Sequence, residues 1–348
     1  MRAQESADRA EFRPLTHPAG LDDELRVALE EVRAGRWKPM RDLLATTGTD
    51  WELRTSRSQV LGTAAARSHV VREWLAEEPQ SADAVMMRAR VGAERALHAH
   101  RAGHDSAQEF AREARKAAIA AAERSERDPV PWVCLLALAL LDRDQLLEEH
   151  RWRAPEPMLP AGPWRLMHRV YQRDRFNREA HHRMLQVLLH ARTGGSAAAL
   201  QFVHWVGTWV PRDSGSPLLV LPLYAYAEHY RARREQGAYD TVALWQWRGE
   251  PVVLDVRRAY QGWFQQSLPL RRSVLDLSYL AHALWAGRQY EEAAQVFAAL
   301  GPHAARQPWG YVADDPDDPA AAAAGFVHAR AQSLAVAGGP PPRAGPRH

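Results

Sequence analysis

Cysteine is almost missing from this chain. Cys134 stands alone among 348 residues, so no disulfide can form within it. That favours a reducing, cytoplasmic setting, and the apolar run around Cys134 would quiet its thiol by raising its pKa. Lysine is nearly absent too. Of 45 basic residues only Lys38 and Lys116 are lysines, and neither follows a glycine. A Gly-x4-Gly-Lys phosphate loop is therefore excluded, and His-Glu-x-x-His, Gly-x-Ser-x-Gly and Gly-x-Gly-x-x-Gly do not occur either. Long apolar runs are also lacking. The longest, Val130–Leu141 and Pro217–Ala227, are too short to cross a bilayer as helices. The opening MRAQESADRAEFRP has no apolar centre for a signal peptide.

A surplus of one charge is missing as well. The 42 acids nearly cancel the 45 bases, leaving a net charge of +3. A general phosphate-backbone binder concentrates positive charge, so this balance speaks against nucleic acid as the partner. What the chain has is alanine, arginine and 13 tryptophans within a 46% apolar composition, ordinary for a folded protein.

Period-two alternation is scarce, while helical periodicity runs through nearly every segment. Residues 1–20 read as a loose polar arm, and Asp22, Asp23 and Glu24 open the first helix with charge suited to its dipole. The stretch WRAPEPMLPAGPW holds four prolines, so 152–163 reads as a break between N-terminal repeats at 21–151 and C-terminal repeats at 164–312. Residues 313–348, with DDPDDP, an alanine run and GGPPPRAGPRH, read as a tail with a single helix.

Two stretches repeat one theme. LAHALWAGRQYEEAAQVFAAL (280–300) and LEEVRAGRWKPMRDLL (29–44) each show a helix, a glycine, an aromatic and a second helix. The spacing differs: one residue separates Gly35 from Trp37, but two separate Gly287 from Tyr290. EPQSADAVMMRA (78–89), DRFNREAHHRML (174–185) and RDPVPWVCLLALA (127–139) supply the entry into a following helix. There Ser81 and Asn177 serve as N-caps, with Asp83 or Glu179 in the first turn. Together these pieces resemble a tetratricopeptide (TPR) repeat, and their phrasing is similar to that of uncharacterised bacterial helical-repeat proteins. The junctions at Pro79, Pro129 and Arg175 lie 50 and 46 residues apart, beyond the standard period of about 34. The resemblance implies an all-α, TPR-like α-solenoid of antiparallel helix hairpins with irregular repeat lengths. In such a stack each pair borrows burial from its neighbours. Trp74, Trp132, Trp164, Trp205 and Trp285 lie in apolar helix patterns suited to filling the spaces between hairpins.

Candidate sites carry two readings each. Gly194, Gly195 and Ser196 precede a helix, where free amides could hold an anion, or where the glycines end one helix and Ser196 caps the next. Glu179 and His182 have the Glu-x-x-His spacing of carboxylate metal sites, but no second such pair exists to complete one. His100 and His104 stand one turn apart with His98 and Asp105 close by, but zinc sites need three or four ligands and no Cys partner exists, so they read as a solvated helix end. The aromatic density from Phe202 to Tyr230 is either core or the lining of a groove. Tyr226 and Tyr230, one turn apart with His229 between, join Trp209, Arg231 and Arg234 as the peptide-binding set.

The expectation is a non-catalytic scaffold that binds a protein or peptide on a concave face, without cofactor, metal or membrane. The rival reading is a helical enzyme or metal protein with its pocket in 179–230.

Overall fold

The computed structural model describes residues 12–191, 195–236, 246–313 and 315–338. Among them the chain is all-α, about 70% helical, with 16 α-helices and no strand. It separates into two compact units. One is continuous, Pro18–Val210, and the other is split, joining the residues up to His17 with those from Pro211 onward. The division thus falls at Val210–Pro211 rather than at 152–163, which lies inside the continuous unit.

Ten helices build the continuous unit: α1 (Asp23–Arg33), α2 (Lys38–Thr47), α3 (Trp51–Ala65), α4 (Val70–Glu77), α5 (Ala82–Arg101), α6 (Ala107–Arg124), α7 (Val130–Leu138), α8 (Trp164–Tyr171), α9 (Arg178–Leu189) and α10 (Gly195–Trp209). Their starts follow from local chemistry. The side chains of Asp22, Asp50, Ser81 and Asn177 each accept from a first-turn amide, so the caps at Ser81 and Asn177 fall where the sequence puts them. Pairing follows chain order. Each even helix from α2 to α8 packs on the odd helix after it, and α1, α3, α5, α7 and α9 pack in succession. The stretch 152–163 is a loop closed by paired backbone bonds between Trp152 and Gly162, at 2.8 and 3.0 Å.

The split unit holds α11 (Leu221–Glu235), α12 (Glu250–Arg258), α13 (Val274–Ala286), α14 (Tyr290–Leu300), α15 (Trp309–Val312) and α16 (Pro319–Ala337). A π-helical turn, Ala259–Phe264, extends α12. Its core gathers Trp247, Trp263, Trp309, Phe297 and Phe326, all essentially buried. Residues 12–17, expected as part of a loose arm, are built into this unit. The Leu15 amide donates to the Pro302 carbonyl at 2.7 Å, the Leu15 carbonyl accepts from Ala304, and Phe12 stacks on Phe326. The tail helix is α16, and it turns Ala322, Phe326, Ala329 and Ser333 inward against α14 and α15.

Candidate functional site

Most of the residues singled out from sequence are spent on internal contacts. Tyr226 and Tyr230 are buried, and the Tyr226 hydroxyl donates to Asp255 at 2.8 Å. Burial first, then the Asp255 charge, drives that phenol above its ordinary pKa. Arg231 pairs with Glu228 and Glu235, and Arg234 donates to the Tyr311 carbonyl. His229 is half-buried, and burial lowers its pKa. Trp209 belongs to the other unit, where Arg175 lies over its ring, 5.0 Å from the centroid, beside Tyr171 and Phe176. The sequence cluster therefore divides between two bodies. Its tyrosines turn inward because their rings complete apolar packing, and the Tyr226 hydroxyl finds a buried carboxylate in Asp255.

The Gly-Gly-Ser turn differs from expectation too. Gly194 lies outside the described residues, while Gly195 and Ser196 are the first two residues of α10 rather than its flank. Gly195 is needed for closeness: a Cβ there would stand 2.5 Å from the Leu189 carbonyl oxygen.

Glu179 is engaged by two arginines. Its carboxylate accepts from Arg90 at 2.8 Å and from Arg183 at 3.1 Å, and Arg183 also reaches Glu94. Burial opposes the charge on Glu179, but Arg90 and then Arg183 outweigh it, so its pKa falls. Among the described residues no group of three or more His, Cys, Asp or Glu could hold a metal ion. Arg54 continues the network to Asp83 and Asp128, and Asn177 donates to Thr55 at 3.1 Å. These groups come from α3, α5, α9 and the turn before α7, so the space between the odd-numbered helices is filled by matched charge. Cys134 sits there as well, its thiol pushed up to about 12, chiefly by burial.

The open concavity lies elsewhere in the same unit. A cavity of about 960 Å³ is walled by the start of α3, the end of α6, the start of α7, and α8. A second, of about 500 Å³, shares Thr49, Trp51, Glu126 and Arg127 with it, making one groove. Trp132 lines the larger part of it. Arg169 on α8 and Arg173 in the turn just after it lie 5.5 and 5.1 Å from the Trp132 ring centroid. Arg127 lines the same space. Among the described residues none of these three arginines forms an ion pair, unlike the buried arginines nearby. Burial, and after it the charge of Arg169, lowers the Arg173 pKa, as expected for like charges held together. The groove escaped the sequence reading because Trp132 sits in an apolar run and reads as core. Arginines at 169 and 173, one helical turn apart beyond a proline-rich stretch, were the signal available.

No family model matches the chain, and no curated protein or solved structure matches it. Among the described residues no helix is long and apolar enough to cross a membrane.

Proposed function

We propose that this protein is a non-catalytic recognition module of TPR-like helical hairpins that holds an acidic segment of a protein partner. The successive packing of odd-numbered helices supports the solenoid reading. The inner space that such folds often use is occupied here by the Arg90–Glu179 network, so the reading moves recognition to the Trp132 groove. The carrying observation is the pair of arginines without carboxylate partners stacked over Trp132. Arg173 spends Nε on the Glu126 carbonyl and Nη1 on the Arg169 carbonyl, which leaves its Nη2 and the Arg169 guanidinium to a ligand. An arginine on an aromatic face also gains roughly 0.5–2 kcal/mol from the ring. A carboxylate arriving there completes two-pronged hydrogen bonds, and Trp51 and Trp132 give apolar contact to its stem. Glu123 and Glu126 line the same groove and would repel a continuous phosphate backbone, which favours a polypeptide whose charges are spaced.

The test is crosslinked capture from native lysate with the wild type beside an Arg169→Glu/Arg173→Glu variant. A partner retained by the first and lost by the second supports the reading, provided both melt at similar temperatures. The interaction should also weaken steeply with salt, since surface charge is screened within about 10 Å at 0.1 M. Equal capture by both proteins, or capture by neither, overturns it.

A further inference from the structure

A second cavity in the continuous unit has a different character. It encloses about 450 Å³ between α6, the end of α7 and the segment 141–150. That volume is in the usual range for small-molecule sites. Leu135, Leu138 and Leu141 form an apolar floor and are nearly fully buried. Leu146 and Leu147 close the other side, yet Leu146 is 75% exposed.

The covering segment is held in a fixed shape. The Asp142 carboxylate accepts from the amides of Leu146 at 2.9 Å and Leu147 at 3.0 Å, and binds His150 Nδ1 at 2.8 Å. Gln145 takes a left-handed conformation, φ 50°, to complete the turn. Arg115 grips Glu149 with two bonds, at 2.9 and 3.0 Å, tying the segment's end to α6. Asp142 and Glu149 are thus already supplied with donors. Arg112 and Arg143 also line the cavity, and among the described residues neither is ion-paired. A leucine floor, a propped cover with an exposed leucine, and two unspent guanidiniums describe a container for an apolar body with one anionic end.

We infer that this cavity binds a small amphipathic carboxylate, its apolar body against Leu135, Leu138 and Leu141 and its carboxylate toward Arg112 and Arg143. The experiment is calorimetric titration of the full chain with decanoate, and in parallel with decanol and butyrate. Decanoate should saturate at one site and bind about tenfold or more tighter than either control, since it alone has both the anion and the apolar body. An Arg112→Ala/Arg143→Ala variant should lose the preference for decanoate over decanol. Leu146→Asp, on an exposed position that cannot disturb the core, should weaken both. Arg169→Glu/Arg173→Glu, which alters the other groove, should change neither. Absence of saturable decanoate binding, or a preference that survives the Arg112/Arg143 change, overturns the inference.

Discussion

At the scale of single residues, buried polar groups decide how this protein answers acid. His282 on α13 is enclosed by Trp247 and Trp309, with ring centroids at 5.2 and 5.1 Å, and neither ring nitrogen has a hydrogen-bond partner. Burial lowers its pKa to about 3, and that of His181 to about 4. Both are neutral in the fold, whereas an unfolded histidine gains its proton near pH 6.5. The unfolded chain therefore takes up more protons as pH falls below about 6.5, and stability drops by about 1.4 kcal/mol per pH unit for each histidine. His282→Phe should remove one share of that slope. It should also add about 1–2 kcal/mol at pH 7, because it deletes a buried group without a partner among aromatic neighbours. Urea midpoints at pH 7 and pH 5.5 measure both effects.

Glu179 runs by the opposite protonation logic. Its folded pKa is depressed, so its contribution is complete above the unfolded value of about 4.3 and vanishes as pH falls through the folded one. Glu179→Ala leaves Arg90 buried with its nearest carboxylate gone, and should cost about 3–5 kcal/mol at pH 7. Glu179→Gln keeps the shape and loses the charge, so its deficit should shrink in acid, where a denaturation series from pH 7 to pH 3 would record it. Sequence placed Glu179 in a first turn, which is right for its backbone. It could not show which way the carboxylate turns, because Arg90 is 89 residues away.

At the scale of elements, the turn that opens the repeat theme is more regular than its letters. After α1, Gly35 takes φ +82°, the Arg36 amide donates to the Glu31 carbonyl, and the Gly35 amide to that of Val32. After α13, the left-handed residue is Arg288 at φ 62°, not Gly287, with Gln289 donating to Leu284 and Arg288 to Trp285. After α5, Gly103 at φ +66° makes the same pair of bonds through His104 and Gly103. All three are Schellman closures. Counted from the left-handed residue, Trp37 and Tyr290 both stand two positions on, so the mismatch around Gly287 comes from a displaced glycine rather than a different turn. A left-handed arginine carries a steric cost near 1 kcal/mol that glycine avoids. Arg288→Gly should therefore stabilise the protein by up to about 1 kcal/mol, and Gly35→Ala should destabilise it by a similar amount. Thermal melts of the two variants give the opposite signs. Caps and turns were legible here because their causes lie within six residues. The pairing of Trp37 with Trp74, stacked at 5.7 Å, was not, since two helices must first pack.

At the scale of the whole chain, the least legible feature is that one unit interrupts the other. The seam has turn chemistry, VPRDSGSP at 210–217, yet so does the proline-rich stretch at 152–163. Composition ranks the second higher because it counts prolines. What separates the units is the return of residues 12–17 to the C-terminal half, where Leu15 bridges His303 and Arg330 lies 4.0 Å over the Phe12 ring. No local pattern encodes a contact across nearly the whole sequence. It has a consequence that can be measured. Removing residues 1–17 strips Phe12 from Phe326 and two backbone bonds from the 302–304 turn, both inside the split unit. Sub-global opening follows such local losses. Amides of α14 and α16 should then exchange with solvent about tenfold faster, while those of α5, in the continuous unit, should keep their protection. Hydrogen exchange read by mass spectrometry separates the two sets of peptides. Equal acceleration in α5 would mean that the two units open as one, and the division at Val210–Pro211 would then have no energetic meaning.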